Sequence, residues 1–285
     1  MSVSPSWLGV SRGDAPLIIS MPHTGTEIPA EIERRFVSPW LARKDADWWV
    51  HLLYDFAPEL GATIVRTSLS RTVIDVNRDP SGQSLYPGQN TTELCPTTSF
   101  DGEPLYREDD VPASREIARR RELYFTPYHS ALASEVARLR DKYPQIVLFE
   151  AHSIRSRIPR LFDGELPNFN IGTNSGASCS PDLTAAIENA CDDYSLSLRA
   201  EERERCFTWV TNGRFKGGWT TRHYGDPGKG MHAVQLELAM RGYMDEPDVP
   251  VPQDWPTLYD AERAAPMRMV LKRILETCLS FASSI

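Results

Sequence analysis

Two histidines in this sequence follow short apolar runs, in places where an imidazole ring needs a partner. His23 comes after PLIISM (16–21) in the context MPHTG, and His152 comes after QIVLFEA (145–151) in the context EAHS. Burying a polar ring is costly unless something binds it. Each histidine alone would more often be a hydrogen-bonded structural residue. Two histidines with one carboxylate, however, form the ligand set that leaves a catalytic zinc ion one open position for water.

Three carboxylates are candidates for the third ligand of such a site. Asp45 and Asp47 precede a helical pattern, and Glu27 lies four residues after His23. An Asp at the start of a helix also caps its free N–H groups and favours its dipole, so both aspartates have a structural interpretation. Glu27 has one as well, as a solvated residue in the turn before Pro29. The residues alone leave these alternatives open.

Two local basic clusters occur in a chain that is acidic overall, with 31 Lys and Arg against 39 Asp and Glu. They are SRTVIDVNR (70–78) and NGRFKGGWTTRH (212–223). Their candidate ligand-binding residues are Arg71, Asn77, Arg78, Arg214 and Arg222. A guanidinium group binds carboxylates through paired hydrogen bonds, and glycines let backbone approach a ligand. The clusters predict a small anionic ligand, unless Arg78 merely pairs with Asp75 or Asp79 at the surface.

Glu237 lies in the apolar run HAVQLELAM (232–240), whose alternation puts Gln235 and Glu237 on one side. A carboxylate in such a run is costly to bury as an anion, so it is either paired or kept for proton transfer. We favour the functional interpretation. A Ser-His-Asp hydrolase is less attractive, because the chain contains no GxSxG motif.

The elements that must position these residues follow an α/β pattern. The predicted strands are PLIISM, ATIVRT (62–67), TVIDVN (72–77), QIVLFEA and HAVQLELAM. The predicted helices run from Asp47 to about Ala57, over 112–141 with a kink or split at Pro127, and through Met267, Val270, Ile274 and Cys278. In such a fold the polar residues that follow strands meet at the carboxyl edge of the sheet. The stretch 79–104 is a long loop, either a substrate lid or an ordinary surface loop.

Composition predicts a single globular domain over residues 1–285, with 41% hydrophobic and 25% charged residues. No apolar stretch approaches the roughly 20 residues that span a bilayer, no Lys/Arg block suggests nucleic-acid binding, and the N-terminus lacks a signal-peptide pattern. We therefore expect a cytoplasmic protein with a small-molecule ligand. Five cysteines without a CxxC spacing predict reduced, structural thiols.

Six segments, in this order along the chain, resemble the N-formylglutamate amidohydrolase family. They are MPHTGTEIP, DADWWVHLLYDF, SRTVIDVNRDPSG, EAHSIRSRIPRLFDG, FNIGTNSGASC and GRFKGGWTTRHYG. The resemblance implies a three-layer α/β/α fold with a central mixed sheet, similar to zinc carboxypeptidases (phosphorylase/hydrolase-like). It also implies one divalent metal ion in the active site, with zinc expected and cobalt, manganese or iron left open.

The same resemblance implies a role for each candidate residue. His23 and His152 would bind the metal together with Asp47, which we prefer to Glu27 because the carboxypeptidase-like pattern has a glutamate where this chain has Thr26. The other implied residues are Asn77 and Arg78 for the substrate carboxylate, helped by Arg214 or Arg222, Arg71 at the scissile carbonyl and Glu237 as the proton shuttle. Glu150 has an open role, either beside the metal ligands or structural.

The activity implied is hydrolysis of N-formyl-L-glutamate to formate and L-glutamate, in histidine degradation. The ion would activate water, and Glu237 would take its proton and return it to the departing amine. Two alternatives remain: an amidohydrolase for another N-acyl amino acid, or a non-catalytic binder of acidic metabolites. The sequence does not indicate an oligomeric state.

Overall fold

The computed structural model describes residues 5–192 and 207–284 in full, and the helix backbone of residues 193–197. The described residues form one seven-stranded mixed sheet in the order β1-β3-β2-β4-β7-β5-β6. The strands are β1 (Leu8–Ser11), β2 (Leu17–Met21), β3 (Thr63–Thr67), β4 (Ile146–Ile154), β5 (Phe169–Gly172), β6 (Trp209–Thr211) and β7 (Met231–Ala239).

The four central strands β3, β2, β4 and β7 run parallel, whereas β1 and β5 pair antiparallel with β3 and β7. Every residue of β2, β4 and β7 is buried, which agrees with their continuous apolar runs. Because the central strands are parallel, their carboxyl ends meet at one edge of the sheet. Polar residues at those ends are therefore brought together.

Helices cover both faces of the sheet. They are α1 (Ala30–Glu33), α2 (Val50–Leu53), α3 (Ser114–Arg120), α4 (Thr126–Arg140), α5 (Pro181–Ser197), α6 (Trp219–Tyr224) and α7 (Ala261–Ala282). One apolar core joins α2, α5 and α7 to the sheet, and a second core joins α4 to the opposite face. This arrangement confirms the predicted α/β/α fold around a mixed sheet. No helix in the described ranges is long and apolar enough to cross a membrane.

Several predicted elements are confirmed. The helix through Met267, Val270, Ile274 and Cys278 is α7, and all four side chains are buried. The split near Pro127 is also confirmed, because a π-helical turn (Arg121–Phe125) separates α3 from α4. The four cysteines in the described ranges are unpaired and buried, whereas Cys206 lies outside the described residues.

The predicted strand at 72–77 is wrong. Val73, Ile74 and Val76 are buried, but the backbone forms turns. The Asp75 N–H donates to the carbonyl of Leu94, and other N–H groups of this segment donate to Ser70 and to the Asp75 carboxylate. These bonds replace a strand ladder, so β-branched residues are buried here without joining the sheet.

Two further expectations are corrected. His152 does not follow its strand but lies within β4, opposite Glu237 of β7. The helix predicted from Asp47 is only the single turn α2, preceded by Trp49 with a left-handed backbone (φ 61°). Asp47 does not cap it, because its carboxylate accepts a hydrogen bond from the Ser153 N–H and lies 3.0 Å from His152 Nδ1.

The loop that carries His23 packs closely against the chain after β3, and Gly25 makes this contact possible. A Cβ on Gly25 would lie 2.3 Å from the carbonyl carbon of Ser68, so Gly25→Ala forces the backbone apart. We expect the free energy of unfolding to fall by about 1–3 kcal/mol, as in overpacked cores. Urea denaturation measures this, with Gly228→Ala as the control because its Cβ would meet only Asp226 Oδ1, at 3.6 Å. Equal midpoints for the two variants would contradict the prediction.

Candidate active site

Three buried side chains converge near the carboxyl ends of β2 and β4. The possible ligand atoms of His23, Asp47 and His152 all lie within 4.8 Å of one another. Asp47 Oδ2 is 3.7 Å from His23 Nδ1 and 3.0 Å from His152 Nδ1. The Asp47 N–H also donates to the His23 carbonyl (2.9 Å), which ties the two loops together. Glu27, the alternative carboxylate, is exposed and is not part of this group.

The protonation of His23 follows from its neighbour Asp75. His23 Nε2 lies 2.6 Å from Asp75 Oδ1, in a fully buried contact. Burial raises the pKa of Asp75, but Arg78, His23 and Arg71 outweigh it and hold this pKa well below its usual range. Asp75 is therefore an acceptor, so His23 Nε2 carries the proton and Nδ1 presents a lone pair. Such carboxylate–histidine pairs orient metal-binding histidines.

The site has the electrostatics of a cation site. His23 Nδ1 and Asp47 Oδ1 are buried without a hydrogen-bond partner, although buried polar atoms are normally paired. Burial lowers the pKa of His152, yet hydrogen bonds with Asp47 and Glu150 outweigh it and raise this pKa to about 10. Surroundings that favour positive charge so strongly fit a divalent cation. Two imidazole nitrogens and a carboxylate suit zinc and several other divalent metals.

Two residues hold the far side of the His152 ring. His152 Nε2 lies 3.1 Å from Asn77 Nδ2 and 3.8 Å from Glu150 Oε1. Asn77 Oδ1 accepts from the Thr220 N–H, so its amide nitrogen faces the ring. Glu150 Oε2 accepts from the N–H and hydroxyl of Thr221, while Glu150 Oε1 has no partner. Glu150 Oε1 lies too far from His152 Nε2 for a hydrogen bond, so the Asn77 amide is the group nearest this nitrogen, whereas His152 Nδ1 faces Asp47.

Glu237 lies in β7, in register with His152 of β4. Its side chain lines one pocket together with His23 and His152. Burial raises its pKa to about 7, and the nearby negative charge of Asp47 adds to this effect, whereas His152 and two arginines oppose it. The amide of Gln235 donates to Glu237 Oε2 (3.1 Å), and Gln235 Oε1 accepts from the Gly218 N–H (2.7 Å). A carboxyl group with a pKa near neutrality can both accept and donate a proton.

Asp75 is the principal residue that the sequence interpretation missed, because it was considered only as a surface partner for Arg78. It is fully buried, and its Oδ2 accepts a hydrogen bond from Arg71 Nη2 at 2.7 Å and lies 3.7 Å from Arg78 Nη1. One carboxylate thus contacts a candidate metal ligand and two candidate substrate residues. A signal was present: an Asp inside a buried apolar run with arginines four residues before and three after.

The remaining candidates surround one pocket together with the long loop. Its lining includes His23, His152, Glu237, Arg71, Asn77, Arg78 and Arg214. Loop 79–104 contributes Tyr86, Asn90 and Thr92 among others, so this loop does cover the site. Arg222 is not among the lining residues; its Nε donates to the Gly217 carbonyl (3.1 Å). The sequence treated Arg214 and Arg222 as equivalent, and the structure distinguishes them.

Arg78 and Arg214, two arginines of the pocket, donate hydrogen bonds to uncharged oxygens of the protein. Arg78 donates to the carbonyl and hydroxyl of Thr92, and Arg214 donates to backbone carbonyls of Leu161 and Asn90. Burial and the like charge of Arg78 lower the pKa of Arg214. Neighbouring guanidinium groups that repel each other favour the binding of an anion.

Comparison with known proteins agrees with this site. The family model for N-formylglutamate amidohydrolase matches residues 15–244. The chain belongs to the N-formylglutamate amidohydrolase family. It is therefore an amidohydrolase enzyme, as the sequence segments suggested. Two relatives are named N-formylglutamate deformylase: one from Pseudomonas aeruginosa (45% identical, 96% of each chain covered) and one from Pseudomonas putida (43%, 97% of each).

Solved structures share the fold of this family member. An N-formylglutamate amidohydrolase from Ralstonia eutropha JMP134 aligns with a TM-score of 0.76 over 98% of both chains, at 23% identity. A gene product of Agrobacterium tumefaciens aligns with a TM-score of 0.69 over 97% of this chain and 96% of its own, at 15% identity. The α/β/α architecture thus extends over nearly the whole length of both neighbours.

The contact between Asp75 and His23 predicts the effect of Asp75→Asn. An amide no longer enforces a proton on His23 Nε2, and it leaves Arg71 without its buried counter-charge. We expect Zn²⁺ affinity to fall about 10- to 100-fold, as for other partners of metal-binding histidines. Competition with a chromophoric chelator measures this, with circular dichroism to confirm folding. The control is Asp226→Asn, whose carboxylate pairs with exposed Lys229. Unchanged affinity in Asp75→Asn would contradict the role given to Asp75.

Proposed function

We propose that this amidohydrolase hydrolyses N-formyl-L-glutamate to formate and L-glutamate, with one divalent ion held by His23, Asp47 and His152. The names of the two Pseudomonas relatives support the substrate. The convergence of three buried ligand groups, two of them with unpartnered atoms, supports the metal and is the observation that carries the proposal. Zinc is the first candidate, and cobalt, manganese or iron suit the same ligands.

The proposed mechanism assigns proton transfer to Glu237. His23, Asp47 and His152 would hold a divalent cation, which would lower the pKa of water toward neutrality and polarise the formyl carbonyl. Glu237 takes a proton from the water as the water oxygen attacks the formyl carbon. The same carboxyl group then gives this proton to the amide nitrogen as the C–N bond breaks. Formate and the free amine of L-glutamate are the products.

Arg71 is proposed to stabilise the developing oxyanion. Its Nη2 is held by Asp75 at 2.7 Å, its guanidinium carbon lies 4.8 Å from the centre of the Phe100 ring, and its Nε is buried without a partner. A fixed donor costs little reorganisation when charge develops on the substrate oxygen. One such donor contributes about 3 kcal/mol to catalysis.

Arg78 is proposed to bind the α-carboxylate of the substrate, next to Asn77. In N-formylglutamate this carboxylate is attached to the carbon that carries the formylated nitrogen, so it lies close to the scissile bond. Arg78 is the arginine we assign to this carboxylate, because it lies near the proposed metal ligand His23. Both residues are next to Asp75: Arg78 Nη1 is 3.7 Å from Asp75 Oδ2, and Asp75 Oδ1 contacts His23. Asn77 is more constrained than the sequence suggested, because its amide contacts Thr220 and His152.

The direct test of this function is hydrolysis of N-formyl-L-glutamate by the purified chain, followed by the release of formate and L-glutamate. We expect activity to be lost after dialysis against a chelator and restored by one equivalent of Zn²⁺, Co²⁺, Mn²⁺ or Fe²⁺. The metal is expected to contribute both water activation and carbonyl polarisation, so the residual activity should be small. Full activity in a metal-free protein would contradict the proposed mechanism.

Glu237→Gln keeps the shape of the side chain but cannot accept a proton. We expect this variant to bind the metal like wild type and to lose about 10²- to 10⁴-fold in kcat, the usual contribution of a general base. Glu246→Gln is a matched control, because Glu246 is also a carboxyl group whose pKa is raised by burial, and it contacts Ser156 and not the pocket. A wild-type kcat in Glu237→Gln would remove this residue from the mechanism.

Arg78→Ala tests the α-carboxylate assignment. N-formylglutamate and N-formylnorvaline share the α-carboxylate and differ in the side-chain carboxylate, so both should lose kcat/KM by a similar factor. We expect this factor to be about 100-fold, because a charged hydrogen bond to a buried carboxylate is lost. Arg157→Ala is the control, since Arg157 pairs with Glu165 at an exposed position. A loss confined to N-formylglutamate would show that Arg78 binds the distal carboxylate instead.

A further inference from the structure

Tyr86 connects loop 79–104 to the glycine-rich segment that precedes α6. Its hydroxyl donates to the Gly217 carbonyl (2.8 Å) and accepts from the Lys216 N–H (3.1 Å). The hydroxyl thus bonds two backbone groups 130 or more positions away in the chain. These two bonds fasten the loop beside the pocket.

The ring of Tyr86 contacts Arg214 of this segment and Arg222 of α6. The guanidinium carbon lies 5.6 Å from the ring centre for Arg214 and 4.9 Å for Arg222. An aromatic face attracts cations at such distances. Tyr86 therefore brings together two like charges that would otherwise repel each other, and only Arg214 lines the pocket.

The orientation of Arg214 depends on the position of the loop. Its Nε donates to the Leu161 carbonyl (2.8 Å), and its Nη2 donates to the Asn90 carbonyl (3.0 Å). Asn90 and Tyr86 both belong to loop 79–104, so the loop supplies one of these hydrogen bonds and one aromatic contact. If the loop undocks, Arg214 loses both and its side chain gains conformational freedom.

Arg214 is also the arginine suited to the far end of a substrate. Arg78 lies beside Asp75, which orients His23, whereas Arg214 is held between Leu161 and the loop. In N-formylglutamate the side-chain carboxylate is two bonds farther from the scissile amide nitrogen than the α-carboxylate. Burial and the charge of Arg78 lower the pKa of Arg214, so a second carboxylate would relieve the repulsion between the two groups.

We propose that Tyr86 is a positioning residue that fixes Arg214 over the pocket, and that Arg214 held in this way selects substrates with a distal carboxylate. This inference rests on the proposed function and adds to it the residue that sets side-chain specificity. The prediction is that loss of the Tyr86 hydroxyl weakens binding of the dianionic substrate selectively. The chemical step, which is assigned to Glu237 and Arg71, is expected to remain unchanged.

The test uses Tyr86→Phe, which keeps the ring and removes both hydroxyl bonds. We expect KM for N-formylglutamate to rise about tenfold, in line with the loss of buried hydrogen bonds, while kcat stays the same. The kcat/KM for N-formylnorvaline should change by less than about twofold. Tyr143→Phe is the matched control, because its hydroxyl also donates to a backbone carbonyl, that of Asp14, away from the pocket.

A double variant separates positioning from a general loss of structure. In the Arg214→Ala background, Tyr86→Phe should have no further effect on the preference for N-formylglutamate over N-formylnorvaline, because the group it positions is gone. An equal and independent loss of preference in both backgrounds would overturn the positioning role. So would an equal loss with both substrates in Tyr86→Phe alone.

Hydrogen exchange of the metal-free protein tests the contact without any substrate. Amides of residues 82–94 should exchange faster in Tyr86→Phe than in wild type or Tyr143→Phe. Unchanged exchange would overturn the role of Tyr86 while leaving the proposed function intact. Absence of N-formylglutamate turnover in the wild type would instead overturn the proposed function, and with it the substrate assignment.

Discussion

The buried carboxylate of Asp75 is the constraint on which the site depends. It accepts a hydrogen bond from His23 at 2.6 Å and one from Arg71 at 2.7 Å, and Arg78 lies 3.7 Å away. A buried anion is tolerated only when it is paired and hydrogen-bonded, and these three cationic or polar partners satisfy that condition. The same carboxylate therefore orients the His23 ring and holds Arg71 and Arg78 at the pocket.

The sequence predicted β2, β3, β4 and β7 and the helices α3, α4 and α7, because hydrophobic periodicity reports burial, whereas β1, β5, β6 and α5 were not predicted. In β4 and β7 every position is buried, and α7 buries one regular face. The same signal misled at 72–77, where buried β-branched residues belong to turns. The backbone conformation of that segment is instead fixed by a hydrogen bond from the Asp75 N–H to the Leu94 carbonyl. These residues are 19 positions apart, so no local sequence pattern reveals the contact.

Candidate site residues were predictable where burial of a polar group was costly. His23, His152 and Glu237 interrupt apolar runs, and the structure brings all three into one pocket. Long-range pairing was not predictable. Glu150 Oε2 accepts a hydrogen bond from Thr221, 71 residues later in the chain, and Arg214 differs from Arg222 through the way the chain folds around Tyr86. The role of a residue that depends on a distant partner can be identified only from the structure. A polar residue within an apolar run can be identified from the sequence, because its burial costs free energy unless it has a function or a partner.

The most direct test of the central claim is anomalous diffraction from crystals of the Zn²⁺-loaded protein, measured above and below the zinc absorption edge. The account predicts one strong anomalous peak at about 2.0–2.2 Å from His23 Nδ1, His152 Nδ1 and a carboxylate oxygen of Asp47, with Asp75 still bonded to His23 Nε2. A zinc peak at another group of residues, or coordination through Nε2 of His23 with Asp75 displaced, would contradict it.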